Sequence, residues 1–315
     1  MFYGPMLKGL APPKMLRLER GRCLRHRLSS SGCRRCFMAC ANGALSWNDD
    51  GLCWDERKCS GCLLCAAGCP TGAIVCNEFE IGSLLKRLDE SDNPLLACTA
   101  KTQAKGHARI PCLGLLANPE LLLGLRLASG KELKLNLTAC AECGNRRVVE
   151  ALRRSVDRLE LLSGDPPLGI RLIDRGAELG YEERDCTRRD FFNLLKKRST
   201  QAGMSFAGRL QDGPGDSAYG EKTVPGARRL IVRLSEQPGA AVERIEKLFP
   251  VLQMSDACDG CGSCPGICPT GALEAGAKDG EAPSHDAKRC VACGLCAEFC
   301  PRAAIALSSQ PSTSS

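Results

Sequence analysis

The sequence predicts an α+β protein in which two small cysteine-rich modules flank a domain with a parallel α/β sheet. The chain has 315 residues and 23 cysteines, and most of the cysteines form runs of fixed spacing near its two ends. Both runs contain Cys-Pro-Thr-Gly-Ala, which indicates that the same unit is present twice. Between the runs, apolar strand-like segments alternate with amphipathic helical segments, and this alternation is typical of a parallel sheet.

The C-terminal run, within residues 250–307, repeats the pattern Cys-x-x-Cys-x-x-Cys-x-x-x-Cys-Pro twice. In this spacing three cysteines of one repeat and the last cysteine of the other hold one [4Fe–4S] cluster. The rule assigns one cluster to Cys258, Cys261, Cys264 and Cys300, and the other to Cys268, Cys290, Cys293 and Cys296. Zinc ribbons share the Cys-x-x-Cys pairs, but zinc gives no reason for two identical four-cysteine runs.

The C-terminal run resembles the two-cluster bacterial ferredoxins, and a second module of this kind is predicted over residues 28–80. Its second half is intact, whereas in its first half Ser30 stands where the first cysteine belongs. One [4Fe–4S] cluster is assigned to Cys40, Cys59, Cys62 and Cys65.

The degenerate half leaves a second, atypical site with three ligands in register: Cys33, Cys36 and Cys69. These could bind a [3Fe–4S] centre, or a cubane completed by Cys23, Cys53, Cys76 or Ser30. The alternative is that this half holds no cluster.

The middle domain is predicted over residues 92–175. Strands are expected at residues 95–98, 108–114, 131–137 (half-buried) and 169–173, and helices at 77–88, 118–127 and 146–162. Asn118-Pro119 marks the start of the second helix, because asparagine caps a helix and proline suits its first turn. Four cysteines follow strand ends, at the edge where open α/β sheets place their sites: Cys98, Cys112, Cys140 and Cys143.

Residues 93–155 of this domain resemble the delta subunit of methyl-viologen-reducing hydrogenase. The resemblance rests on Cys98 after the first strand, on Pro111-Cys112-Leu-Gly before Asn118-Pro119-Glu120, and on Cys140 and Cys143 before Gly144-Asn145. It implies a [2Fe–2S] cluster that passes electrons between subunits. The chain differs in having one cysteine, not an adjacent pair, at the first position and a shorter last spacing. The alternatives are structural zinc, a redox-active Cys140/Cys143 pair, and cysteines that pack in the core without a ligand role.

The remaining segments carry weaker signals. Residues 1–27 form a basic arm with Glu19 as its single acid, suited to an acidic partner, to a solvated extension or to a mitochondrial presequence. Residues 176–249 are predicted to be a helical segment with a linker at 211–226 and a helix at 240–248. Cys186 has no partner spacing, and residues 308–315 are expected to be disordered.

Composition narrows the classes of function. The formal charge of +7 is 43 Lys and Arg minus 36 Asp and Glu, and oxidised cubanes with about −2 each would offset most of it, so nucleic-acid binding is a weak alternative. No secretory signal or apolar membrane-span run is evident. Cysteines spaced as ligands favour a reducing, cytoplasmic compartment over disulfides.

Together these features predict an iron–sulfur electron-transfer protein. It would hold three to four [4Fe–4S] clusters, with [3Fe–4S] as the alternative form of one of them, and a [2Fe–2S] cluster or zinc in the middle domain. We expect a wiring subunit between a hydrogenase- or heterodisulfide-reductase-like oxidoreductase and a second acceptor. Its partners would be redox proteins, with no small-molecule substrate, nucleic acid or membrane span. An enzyme with an open cluster site and a scaffold with redox-silent clusters are the alternatives.

Overall fold

A computed structural model describes residues 15–49, 51–101, 103–164, 167–181, 220–237, 241–278 and 280–308. Several predictions concern residues outside these ranges. They are the arm before residue 15, the helical segment at residues 182–210 with Cys186, residues 211–219 of the linker, and the tail from residue 309.

The N-terminal part begins with a strand that pairs with the strand following its last cysteine run. This strand, β1 (Leu16–Leu18), is antiparallel to β4 (Ile74–Cys76). Between them lies the antiparallel hairpin of β2 (Leu45–Asn48) and β3 (Gly51–Trp54). The same stretch has a 3₁₀ turn at Arg20–Arg22 and the helices α1 (Leu24–Arg27), α2 (Arg35–Ala39) and α3 (Leu64–Ala67). Helices this short are not stable alone, so their packing and the cysteine loops must fix them.

The middle of the chain forms a parallel sheet, as the alternation of segments predicts. The strands are β5 (Leu95–Cys98), β6 (Ala108–Ile110), β7 (Leu133–Asn136) and β8 (Ile170–Ile173), in the order β6-β5-β7-β8. Every pair in this sheet is parallel. The helices are α4 (Ile81–Asp89), α5 (Pro119–Ser129) and α6 (Arg147–Ser163), with a 3₁₀ turn at Leu113–Ala117 before α5.

The start of α5 follows the capping signal in the sequence. The Asn118 side chain accepts a hydrogen bond from the backbone N–H of Leu121 at 3.0 Å, and Pro119 occupies the first turn. Gly130, with φ of 65°, ends the helix in the left-handed conformation that glycine adopts without a steric penalty. By contrast, the helix expected from residue 77 begins at Ile81, because residues 76–79 form a turn with the Phe79 N–H bonded to the Cys76 carbonyl.

The prediction of a half-buried third strand is wrong, since all four residues of β7 are buried. This strand lies between β5 and β8, where parallel sheets are covered on both faces. Even Lys134 is only 8% exposed, and its ammonium group reaches the Glu132 carboxylate at 3.8 Å. Alternation in the sequence alone could not distinguish a strand buried on both faces from a strand with one solvent-exposed face.

A helix that sequence reasoning missed, α7 (Gly226–Ser235), packs against α5. Gly124 allows the close approach, because a Cβ there would lie 2.6 Å from Leu230 Cδ2. Arg228 forms a two-pronged ion pair with Glu120, with Nε to Oε2 at 3.1 Å. The segment after the linker is therefore part of the core around the middle sheet. A further helix, α8 (Ala241–Glu246), lies close to the predicted position.

The C-terminal part has the same layout of short paired strands and one-turn helices as the N-terminal part. Strand β9 (Val251–Met254) pairs with the last strand, β12 (Ile305–Ser308), and β10 (Leu273–Glu274) pairs with β11 (Ser284–His285), both antiparallel. The helices are α9 (Ser263–Ile267) and α10 (Leu295–Phe299). None of the helices in the described ranges is long and apolar enough to cross a membrane.

Candidate metal centres

The C-terminal cysteines surround two cavities, and each half of the run contributes cysteines to both of them. The cysteines around one cavity are Cys258, Cys261, Cys264 and Cys300. Those around the other are Cys268, Cys290, Cys293 and Cys296. This is the crossed grouping that the spacing predicts. It arises because β9 pairs with β12, which brings the start of the first repeat to the end of the second.

The N-terminal part places the predicted cubane ligands around a third cavity. Its cysteines are Cys40, Cys59, Cys62 and Cys65. Trp54 and Leu16 cover one side, and Asn145 and Val148 of the middle domain cover another. This site therefore lies against the parallel-sheet domain.

The atypical site gains a fourth cysteine that the spacing did not single out. Four cysteines line this cavity: Cys23, Cys33, Cys36 and Cys69. Cys23 caps the N-terminus of α1, ten residues before Cys33 in the chain. Of the other candidates, Ser30 is exposed, the Cys53 thiol lies 3.4 Å from the Asn48 side-chain oxygen, and Cys76 belongs to β4. No motif marks Cys23, because the fold of the segment before the run brings it to the site.

The backbone of the cysteine loops explains why one half is atypical. In the three regular loops, left-handed residues flank the second cysteine: Gly61 and Leu63, Gly260 and Gly262, and Ala292 and Gly294. Leu63, Ala292 and Ala303 are the non-glycine residues with positive φ among those described; the first two belong to such loops, and Ala303 follows the last cysteine of its run. Strain of this kind is tolerated where the surroundings impose it, as at functional sites. The degenerate half departs from this path, because Arg34 has φ of −130°.

A hydrogen bond to sulfur recurs at the last cysteine of every run. In each case the backbone N–H four residues later donates to the Sγ atom. The pairs are Ala44 to Cys40 (3.3 Å), Ala73 to Cys69 (3.3 Å), Ala272 to Cys268 (3.3 Å) and Ala304 to Cys300 (3.4 Å). The degenerate half keeps this bond at Cys40. Donors to sulfur stabilise its negative charge, and such bonds tune iron–sulfur potentials.

The raised pKa values of the cysteine thiols fit a bound group that replaces their protons. Burial, followed by repulsion from neighbouring cysteines, raises the pKa of Cys36 and of Cys65 to about 12. Burial is also the first cause at Cys293 and Cys296, with pKa values of about 12. Thiolates gathered in this way need a cation to be stable. Within the described ranges, no three His, Cys, Asp or Glu side chains are close enough to hold one metal ion, so the thiols surround cavities rather than single points.

The four cysteines of the middle domain also come together at one edge of the parallel sheet. Cys98 ends β5, and Cys112 follows β6. Burial raises the pKa of Cys112 to about 12, with repulsion from Cys98, Cys62 and Cys140 adding to it. At Cys140 burial comes first and repulsion from Cys98 and Cys143 follows, giving about 11. The carboxyl ends of the strands thus gather these thiols.

This middle group lies directly beside the Cys40 cavity. Cys112 is close enough to Cys62 for the two thiolates to repel each other, although Cys62 belongs to the other group. The backbones also touch there, since a Cβ at Gly114 would overlap the carbonyl oxygen of Cys62. The side chain of Asn145 donates to the Ser60 carbonyl at 3.1 Å, which ties the two loops together.

A second junction joins the atypical site to the C-terminal part. Leu24, Ile267 and Leu295 form one buried cluster, and Cys33 and Cys293 pack against it. The five cysteine groups therefore follow one another in space. Starting from the C-terminal part, we name them by one member each: the Cys258, Cys268, Cys23, Cys40 and Cys98 groups.

The folds and cysteine groups at both ends define the chain as a protein with ferredoxin-type iron–sulfur domains. Residues 249–305 match the family model of a 4Fe-4S dicluster domain, and residues 52–75 match that of a 4Fe-4S binding domain. The second match covers the regular half of the N-terminal module and stops short of the degenerate half. No curated relative and no solved structure matches the chain. Neither family match covers residues 93–155, so the resemblance to the hydrogenase delta subunit stays a prediction.

Proposed function

We propose that this chain is an electron carrier that holds four [4Fe–4S] clusters in series. The observation that carries the proposal is the row of four cavities, each lined by four cysteines, in one connected body. An iron–sulfur cluster, when bound, takes up and gives up electrons without bond rearrangement in a substrate. The ligand sets proposed are the Cys258, Cys268, Cys23 and Cys40 groups.

The protein's own part in this function is to position and insulate the clusters. The left-handed loop residues wrap the chain around the cavities of the Cys258, Cys268 and Cys40 groups, and a backbone N–H donates to one Sγ atom in each of the four groups. Apolar side chains separate adjacent groups, as Leu24 and Leu295 do between Cys33 and Cys293. Such packing excludes water, which strengthens every charge interaction at the clusters.

For the middle domain we propose a fifth redox site, a [2Fe–2S] cluster on Cys98, Cys112, Cys140 and Cys143. The proposal is supported by the contact between the Cys112 and Cys62 regions, because it brings this group beside the Cys40 group. Zinc at the same ligands carries no electron, so it would end the series at the Cys40 group. A metal analysis that distinguishes iron from zinc decides between them.

The biological setting proposed is a subunit that wires an oxidoreductase to a second redox protein. A relay with its groups in a row has two ends, which suits a donor at one end and an acceptor at the other. An enzyme with substrate at an open iron was attractive because Ser30 replaces a ligand. That argument weakens, because Cys23 lines the same cavity as Cys33, Cys36 and Cys69 and offers a fourth thiol.

The test is anaerobic reconstitution of the full chain, followed by iron, sulfide and zinc analysis and an EPR-monitored redox titration. Four cubanes predict about 16 irons, and a [2Fe–2S] cluster adds two. Clusters that reduce and reoxidise reversibly between about −700 and +450 mV support a carrier. Clusters silent over that range would leave only a structural scaffold.

A further inference from the structure

The junction between the N-terminal and C-terminal parts is lined with cations. Two buried arginines lie there, Arg22 at 6% and Arg27 at 5% exposure. Arg22 directly precedes Cys23, and Arg27 belongs to the helix that Cys23 caps. Buried cations act through a lower effective dielectric constant than exposed ones, so their influence on a nearby cluster is greater.

These cations reach both groups at the junction. Arg27 Nε donates to the carbonyl of Ile267 at 3.2 Å, directly before Cys268. Lys222 Nζ donates to the carbonyl of Pro265 at 3.0 Å, at the end of the same short helix. The C-terminal part thus receives positive charge from two distant segments at the turn that leads into Cys268.

Arg35 is shared between the two junction groups. It lines the cavity of the Cys23 group together with Arg25, whose guanidinium lies over the Trp47 ring at 4.1 Å. Its Nη2 atom also donates to the carbonyl of Ala292 at 3.4 Å, inside the loop between Cys290 and Cys293. One side chain therefore places its charge beside two cluster sites.

Acidic groups at the junction offset part of this charge. Glu298 accepts hydrogen bonds from the Ser31 hydroxyl and the Gly32 N–H, but its side chain is exposed. Glu19 is buried and pairs with Arg17 at 2.8 Å. Asp286 accepts from the backbone N–H groups of residues 288 and 289. Among the described residues of this region, two buried cations, Arg22 and Arg27, stand against one buried acid, Glu19.

The outer cubane groups have a different electrostatic environment. Beside the Cys258 group, Arg302 pairs with Asp259 at 3.0 Å, and both side chains are exposed. Beside the Cys40 group the lining cation is Arg147. Arg147 and Arg302, the cations that line these two cavities, are both exposed to solvent.

We infer that the clusters of the Cys23 and Cys268 groups have higher reduction potentials than those of the Cys258 and Cys40 groups. Reduction adds one negative charge to a cluster, and buried cations favour that charge. This inference rests on the proposed four-cluster carrier. It means that an electron entering from a redox-protein donor rests at the junction, in the middle of the relay, and leaves when an oxidised acceptor takes it.

The experiment is an EPR-monitored redox titration of the full chain, after iron and sulfide analysis has shown how many clusters are loaded. The ligand variants Cys36→Ser and Cys293→Ser assign the signals, because each alters the line shape of the cluster that it touches. Arg35→Gln removes the cation that contacts both junction groups. Because the Arg35 side chain is exposed, the fold should tolerate this substitution. Arg35→Lys keeps the charge, and Arg302→Gln makes the same charge change at the far end.

We expect the junction clusters to titrate above the other two cubanes. Arg35→Gln should shift both to lower potential, whereas Arg35→Lys and Arg302→Gln should leave them in place. If four loaded cubanes titrate with the junction pair lowest, or if Arg35→Gln moves neither, the inference is wrong while the carrier stands. Fewer than four cubanes in the unmodified chain would instead overturn the cluster assignment on which both proposals rest.

Discussion

Gly114 lies so close to Cys62 that a Cβ at position 114 would overlap the carbonyl oxygen of Cys62. This contact seats a loop of the middle domain on the loop of the Cys40 group. We expect Gly114→Ala to push the loops apart and to lower the free energy of unfolding by about 1–3 kcal/mol, as overpacking does. Chemical denaturation measures the stability. EPR should show weaker magnetic coupling between the two sites.

The matched control for that variant is Gly144→Ala. Gly144 lines the cavity of the Cys40 group and has no positive φ. A Cβ built at this position would have no atom within 4 Å. It should change neither stability nor spectra. Equal effects of the two substitutions would mean that the close contact at Gly114 has no special role.

Cys23→Ala tests the ligand that tertiary structure adds to the atypical site. The variant should lose about one iron, leaving a three-iron centre, or lose that cluster completely, because Cys33, Cys36 and Cys69 remain. Iron analysis and EPR of the reconstituted full chain measure this. Ser30→Ala and Cys53→Ala serve as controls and should leave the iron content unchanged. A loss of iron in either control, with Cys23→Ala unaffected, would assign the fourth ligand elsewhere.

Cys300→Ala tests the exchange of ligands between the C-terminal halves. The cavity that Cys300 lines also contains Cys258, Cys261 and Cys264, so that cluster should be damaged. The cluster of the Cys268 group should keep its EPR signal and its potential. Loss of the Cys268 group's signal, with the other intact, would contradict the crossed assignment.

Cys112→Ala tests the fifth site. Cys112 is buried and sits among Cys98, Cys140 and Cys62. The variant should lose two irons and two sulfides together with a rhombic EPR signal, while the four cubanes remain. If the unmodified chain contains one zinc and Cys112→Ala loses it, the middle domain is a structural joint. Ala141→Ser, an exposed change between Cys140 and Cys143, is the control.

The ion pair between Arg228 and Glu120 should carry much of the packing between α5 and α7. The Arg228 side chain is 2% exposed and that of Glu120 is 20% exposed. Glu120→Gln leaves the buried guanidinium without its counter-charge and should cost about 3–5 kcal/mol of unfolding free energy. Asp259→Asn breaks an exposed pair with Arg302 and should lower the free energy of unfolding much less. Similar losses in the two variants would show that burial does not strengthen the first pair.

The sequence by itself determined the features that depend on short spacing. The cysteine runs wrap local loops, so they predict ferredoxin-type domains at both ends, and the family matches support this at residues 52–75 and 249–305. The parallel sheet followed from alternating segments, and the cap at Asn118 from a local hydrogen bond. Each of these features is signalled by a pattern that can be read along the chain without knowledge of contacts between distant segments.

Tertiary structure decided what depends on contacts between distant segments. Cys23 reaches the atypical site because α1 packs beside the cysteine loops, and no spacing rule encodes that approach. Helix α7 joins the middle core through Gly124 and Arg228, although the sequence predicted no separate helix between the linker and residue 240. The order of the cysteine groups likewise depends on two junctions, one at Leu24 and one at Gly114. Packing of buried apolar surface sets such distances, and one-dimensional periodicity does not contain them.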